Sequence, residues 1–259
     1  MRFLIWKVPV IVLLVSFPLF GCATSGGVDS LVEKKELAQK KYREALQFGS
    51  LNQKSKMLKA LNEAIELDPN DANFHFYLGQ SYFVEGDFER AESEFLKSIH
   101  LNNGLRDAYE QLGQISMRKK EWKKAIANFN KTLSLPGTRN PLQIYNWLAL
   151  SHYNLGENEQ AEVEWKKALQ IKENAAIRLN LGLAYIDKSK FELAKDSLEM
   201  AIQLQPRFAQ AHFELAQLYI RENKKEKAKE HFKNTILYSP RSAFAMQSKE
   251  YLEKIDLRK

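Results

Sequence analysis

The 259-residue chain holds a single cysteine, Cys22. One cysteine excludes a disulfide within the chain and any Cys-x-x-Cys metal or redox pair. His-Glu-x-x-His, the phosphate-cradling P-loop and the Gly-x-Ser-x-Gly elbow are all missing. The five histidines (His75, His100, His152, His212 and His231) are scattered. No enzyme chemistry is therefore expected, and no cofactor or metal. Long apolar runs are also lacking. The stretch 8–20 has thirteen residues, short of the roughly 20 a membrane-crossing helix needs. With 27% of residues charged, the rest of the chain argues against a membrane-spanning protein. The formal net charge is +7, but the densest basic runs, 118–124 and 221–233, are interleaved with glutamate. They read as a solvated turn and helix face, and no nucleic-acid partner is expected.

What is present is a period. Leu78-Gly79, Leu112-Gly113, Leu148-Ala149, Leu181-Gly182 and Leu215-Ala216 recur at separations of 34, 36, 33 and 34 residues. Each pair is followed by a small residue (Ala91, Ala125, Ala161, Ala194, Ala228). Four positions further on comes a large one: Phe95, Phe129, Trp165, Leu198 or Phe232. Periods of this length belong to stacked helical hairpins, none of which can bury its apolar face alone. The expected fold is all-α, with units at 72–105, 106–139, 142–174, 175–208 and 209–242. A weaker unit at 38–71 has Ala45, Leu61 and Ala64 in frame but Met57 at the helix crossing, and a helix at 243–256 caps the end. The two extra residues near 136–141 are read as a break that changes the pitch and divides the groove.

Residues 1–21 read as a lipoprotein signal. Arg2 and Lys7 precede the short apolar stretch, which ends in Leu19-Phe20-Gly21-Cys22. That ending resembles the bacterial lipobox, although Phe20 is bulkier than the usual residue there. The resemblance implies lipid on Cys22, and firm anchoring follows from several acyl chains. Ala23 after the cysteine resembles the outer-membrane sorting choice, and 22–30 are expected to be a flexible tether.

The frame itself resembles the tetratricopeptide repeat, a superhelix of paired helices. In that family, positions 2, 5, 9 and 12 of each first helix point into the concave groove. Here these rows supply Phe76, Gln80, Phe83, Gln114, Asn146, Leu150, Tyr153, Leu179, Leu183, Phe213 and Gln217, with Asn180 beside them. The Lys and Asn of the family's carboxylate clamp are absent, so a C-terminal carboxylate is not the expected ligand. An apolar, aromatic groove with amides at its rim suits a hydrophobic helix or strand of a partner. His75 and His212 share position 4, which packs between helices, and read as structural.

Lipobox, tether and six repeats together resemble the PilF/PilW family of type IV pilus biogenesis lipoproteins. That resemblance implies a pilotin, facing the periplasm from the outer membrane of a Gram-negative bacterium, with a secretin subunit as protein partner. An envelope adaptor for peptidoglycan enzymes or outer-membrane assembly factors is the alternative, and a scaffold in a non-pilus secretion system a third.

Overall fold

The structure, a computed structural model, describes residues 25–256. The expected signal and lipid site, Cys22 included, lie outside the described residues. Among the described residues are thirteen α-helices and no strand, and the architecture is an all-α tetratricopeptide-type superhelix. They form two compact units, divided between Pro69 and Asn70.

The first unit pairs α1 (Ser25–Ser50) with α2 (Lys54–Leu67). Residues 25–30 are helical, which corrects the expectation of a tether reaching to 30. Once a helix has nucleated, each added residue brings one more backbone bond for two fixed dihedrals, so α1 runs on. Ala45 on α1 and Leu61 and Ala64 on α2 are all essentially inaccessible. Met57 fills the crossing: a side chain on Gly49 would lie 2.9 Å from its sulfur.

The second unit stacks five hairpins and a last helix. The hairpins are α3 (Ala72–Glu85) with α4 (Phe88–Leu101), α5 (Arg106–Arg118) with α6 (Trp122–Ser134), and α7 (Pro141–Asn154) with α8 (Asn158–Ile171). Then come α9 (Ala175–Asp187) with α10 (Phe191–Leu204), α11 (Ala209–Arg221) with α12 (Lys225–Tyr238), and α13 (Ala243–Asp256). Side-chain caps start several helices by taking up free amides. Asp71 accepts from Asn73 at 2.8 Å, and Asn174 from Ala176 and Ile177 at 2.9 and 3.1 Å. The recurring alanines and large residues of the sequence frame are fully buried at every crossing. A Cβ on Gly113 would come within 2.5 Å of the Phe129 ring, so that close approach requires glycine.

Each first helix ends the same way. The fifteenth residue of every unit is left-handed: Asn52, Gly86, Lys120, Gly156, Ser189 and Asn223. The following amide reaches back five residues, as in Glu121 N–H to the Ser116 carbonyl at 2.8 Å and Lys190 N–H to Tyr185 at 2.8 Å. This is the Schellman closure that glycine favours, yet only two units have glycine. Lys120→Gly is expected to stabilise the chain by about 0.5–1 kcal/mol, since a Cβ in this region is strained. Urea denaturation of the two proteins measures it.

The 136–141 break does not interrupt the stack. The Phe129 and Trp147 rings stack across it with centroids 5.4 Å apart and planes at 22°. Arg106 donates to the carbonyls of Pro136, at 3.2 Å, and Gly137. Helices α6 and α7, on either side of the break, stay in contact.

Candidate functional site

The first helices α3, α5, α7, α9 and α11 present positions 9 and 12 as partly exposed rows. Gln80, Gln114, Leu150, Leu183 and Gln217 form one row. Phe83, Met117, Tyr153, Ile186 and Ile220 form the other. Gln80, Gln114, Asn180 and Gln217 make no side-chain hydrogen bond among the described residues, so their amides are open to a partner's backbone.

Position 5 behaves differently. Phe76, Leu179 and Phe213 are only 8%, 4% and 3% exposed, so these three groove assignments are corrected. Phe76 lies 5.7 Å from the Phe95 ring. Phe213 sits among Phe232, Phe244 and Tyr251, at 6.0, 5.2 and 6.5 Å. Phe76 and Phe213 lean onto the large residue of their own second helix, and with Leu179 they are core. Asn146, also at position 5, is half-buried, and its Oδ1 accepts from the Trp165 indole at 3.0 Å. A wholly buried tryptophan needs an acceptor for its N–H, which was the one sequence signal for that role.

Sequence reasoning missed an acidic element on this face. The Tyr153 hydroxyl donates to Asp187. Burial first, then that bond and the charge of Asp187, push the Tyr153 hydroxyl up to about 12. Glu214 on α11 is half-buried, and burial, reinforced by the charge of Asp187, raises its carboxyl to about 6. Glu110 on α5 is raised as well, by burial and then by Asp107. Positions 6 and 13, which carry Glu214 and Asp187, lie outside the four rows read from the family pattern.

The histidines of position 4 are internal. His75 Nδ1 is 2.7 Å from Glu94. His212 Nε2 lies 3.0 Å from the Pro206 carbonyl and its Nδ1 2.8 Å from Nδ1 of His231. The carbonyl can only accept, so Nε2 of His212 carries hydrogen. In the neutral pair, His212 Nδ1 then accepts from His231. Burial, with His212 beside it, depresses His231 from 6.5 to about 4.

Those shifts set opposite pH slopes. The depressed His231 contributes stability that is present above about 6.5 and lost as pH falls towards 4. The raised Glu214 gives the reverse: its contribution is present below 4.5 and lost as pH rises through 6. Relative to the parent, His231→Gln is expected to gain in melting temperature as pH drops through this window. Glu214→Gln is expected to lose. Scanning calorimetry at several pH values separates the two.

Among the described residues no helix is long and apolar enough to cross a membrane. Residues 58–86 match the family described as TPR repeat, and 142–174 and 179–234 match families described as Tetratricopeptide repeat. Tetratricopeptide repeat protein 6 of Homo sapiens is 21% identical over 189 residues, 72% of this chain and 36% of that protein. Lipopolysaccharide assembly protein B of Escherichia coli K12 is 28% identical over 129 residues, 48% of this chain and 33% of that protein. The chain spans about a third of the length of the curated relatives it matches. Among solved structures, PilF of Pseudomonas aeruginosa superposes with a TM-score of 0.65 at 15% identity, covering 86% of this chain and 99% of that one. PilW, described as a widely conserved type IV pilus biogenesis factor, gives 0.65 at 13% identity, covering 81% and 97%. At such identities the likeness is one of fold. Tetratricopeptide repeats are in general scaffolds for protein–protein interaction. By its matched stretches and its fold, the chain carries tetratricopeptide repeats.

Proposed function

We propose that the chain is a lipid-anchored scaffold for a protein partner and, more specifically, a pilotin. It would bring type IV pilus secretin subunits to the outer membrane and promote their assembly. The observation that carries this reading is the match in size. PilF is covered almost from end to end, so the likeness extends to the whole array and exceeds a few shared repeats. The lipobox ending in Cys22 and the open amides of the first helices support it.

The test is an immunoblot of outer membranes for heat- and detergent-resistant secretin multimers, with and without the gene. Loss of multimers while monomer persists is the expected result. Unchanged multimers would remove the pilotin reading. Cys22→Ala is expected to move the protein out of the outer membrane while the circular dichroism melt of the repeats stays unchanged. The likeness to Lipopolysaccharide assembly protein B favours a second reading, an envelope assembly adaptor. Under that reading, the protein co-purifies with assembly factors or cell-wall enzymes and leaves secretin untouched.

A further inference from the structure

A cavity of about 230 Å³ opens between α9, α10, α11 and α13. Its apolar walls are Ile186, Phe191, Leu218, Ile220 and Tyr251, and Glu214, Gln217 and Arg221 complete the lining. It continues the open rows of the first helices, since Ile186, Gln217 and Ile220 belong to both.

The charges in and around it are not paired with one another. Glu214 has no cationic partner among the described residues. Its surroundings are the hydrogen-bonding Gln210 and a second negative charge, Asp187. Arg221, the one cation in the wall, lies over the Phe191 ring at 3.8 Å from its centroid. Lys254 sits over Tyr251 at 5.9 Å and faces the adjoining cavity with Lys225. None of these three pairs with Glu214. A carboxylate drawn out of water without a counter-charge is costly, and groups so perturbed in a cleft concentrate at functional sites. A metal ion does not suit the arrangement: no group of three or more His, Cys, Asp or Glu able to hold one occurs among the described residues.

We propose that this pocket receives a lysine side chain from a partner segment lying along the first helices. Its methylenes lie against Ile186, Leu218 and Ile220, and its ammonium meets Glu214 with Asp187 behind it. Lysine fits because its long stem covers apolar surface while its compact head carries the charge. The inference rests on reading this face as the partner-binding one.

The test uses the full chain and two blocked apolar hexapeptides, identical except that one has a central lysine and the other norleucine. Titration calorimetry gives both affinities. The lysine peptide is expected to bind about tenfold more tightly, the effect of one charge-assisted contact. That gap should close in Glu214→Gln, shrink in Asp187→Asn and persist in Glu110→Gln, which alters a half-buried acid elsewhere on the face. Equal affinities in the parent, no binding of either peptide, or a gap unchanged in Glu214→Gln would each overturn the proposal. Because the parent comparison needs no variant, a folding defect in Glu214→Gln leaves the test intact. A failed peptide preference with secretin multimers still dependent on the gene removes the pocket alone. A preserved preference with independent multimers removes the pilotin reading alone.

Discussion

Phe213→Glu is expected to unfold the last hairpin of the array together with the helix that follows it. The ring is 3% exposed and touches Phe232, Phe244 and Tyr251, so it ties α11 to both α12 and the final helix α13. Removing a buried phenylalanine costs about 3–5 kcal/mol in transfer and cavity terms. The new carboxylate would face aromatic rings, adding several kcal/mol unless it takes a proton. Gln217→Ala, four residues later on the same helix but half-exposed, is expected to change stability by only about 0.5 kcal/mol. Urea denaturation followed by circular dichroism compares them. Similar small losses in both variants would return Phe213 to the groove.

Trp165→Ala carries the second large effect. Trp165 is fully buried in α8, at the start of the apolar core that runs on to Ile255. Its ring lies 5.8 Å from that of Tyr153, and its N–H is held by Asn146 on α7. Truncation is expected to cost about 3–5 kcal/mol. Asn146→Ala leaves the indole N–H unpaired and is expected to cost about 1–3 kcal/mol. The two losses should fall short of additive in the double variant, because both remove the same hydrogen bond. In a repeat array the damage is local, since each unit depends on itself and its neighbours. Hydrogen exchange should therefore show lost protection in α7 and α8 first, with α3 and α4 little affected. A uniform loss along the chain would mean that the array unfolds as one body.

The groove was less legible than the fold for a reason these two residues illustrate. Trp165 was readable as a core residue because it recurs at a fixed offset from Leu148-Ala149. Phe213 occupies a position the family pattern assigns to the groove, and its burial depends on how far the ring leans onto Phe232 and Phe244. Asn146 stands at that same position and is half-exposed, so a frame position alone does not set exposure. Glu214 and Asp187 come together only because α9 and α11 belong to successive hairpins, and their mutual charge effect has no trace in spacing.

By itself the sequence determined the all-α class, the 34-residue hairpin period and the buried ladder of small and large residues. These follow from local periodicity: glycine or alanine allows helices to approach, and a large residue at constant offset fills the space beside them. Tertiary structure alone decided three things. It decided which of the inward rows is core, because ring packing between helices sets burial. It kept the stack closed across 136–141 by laying Phe129 on Trp147. And it gathered Glu214 and Asp187 on one face, because charges brought together by stacking lie 27 residues apart along the chain.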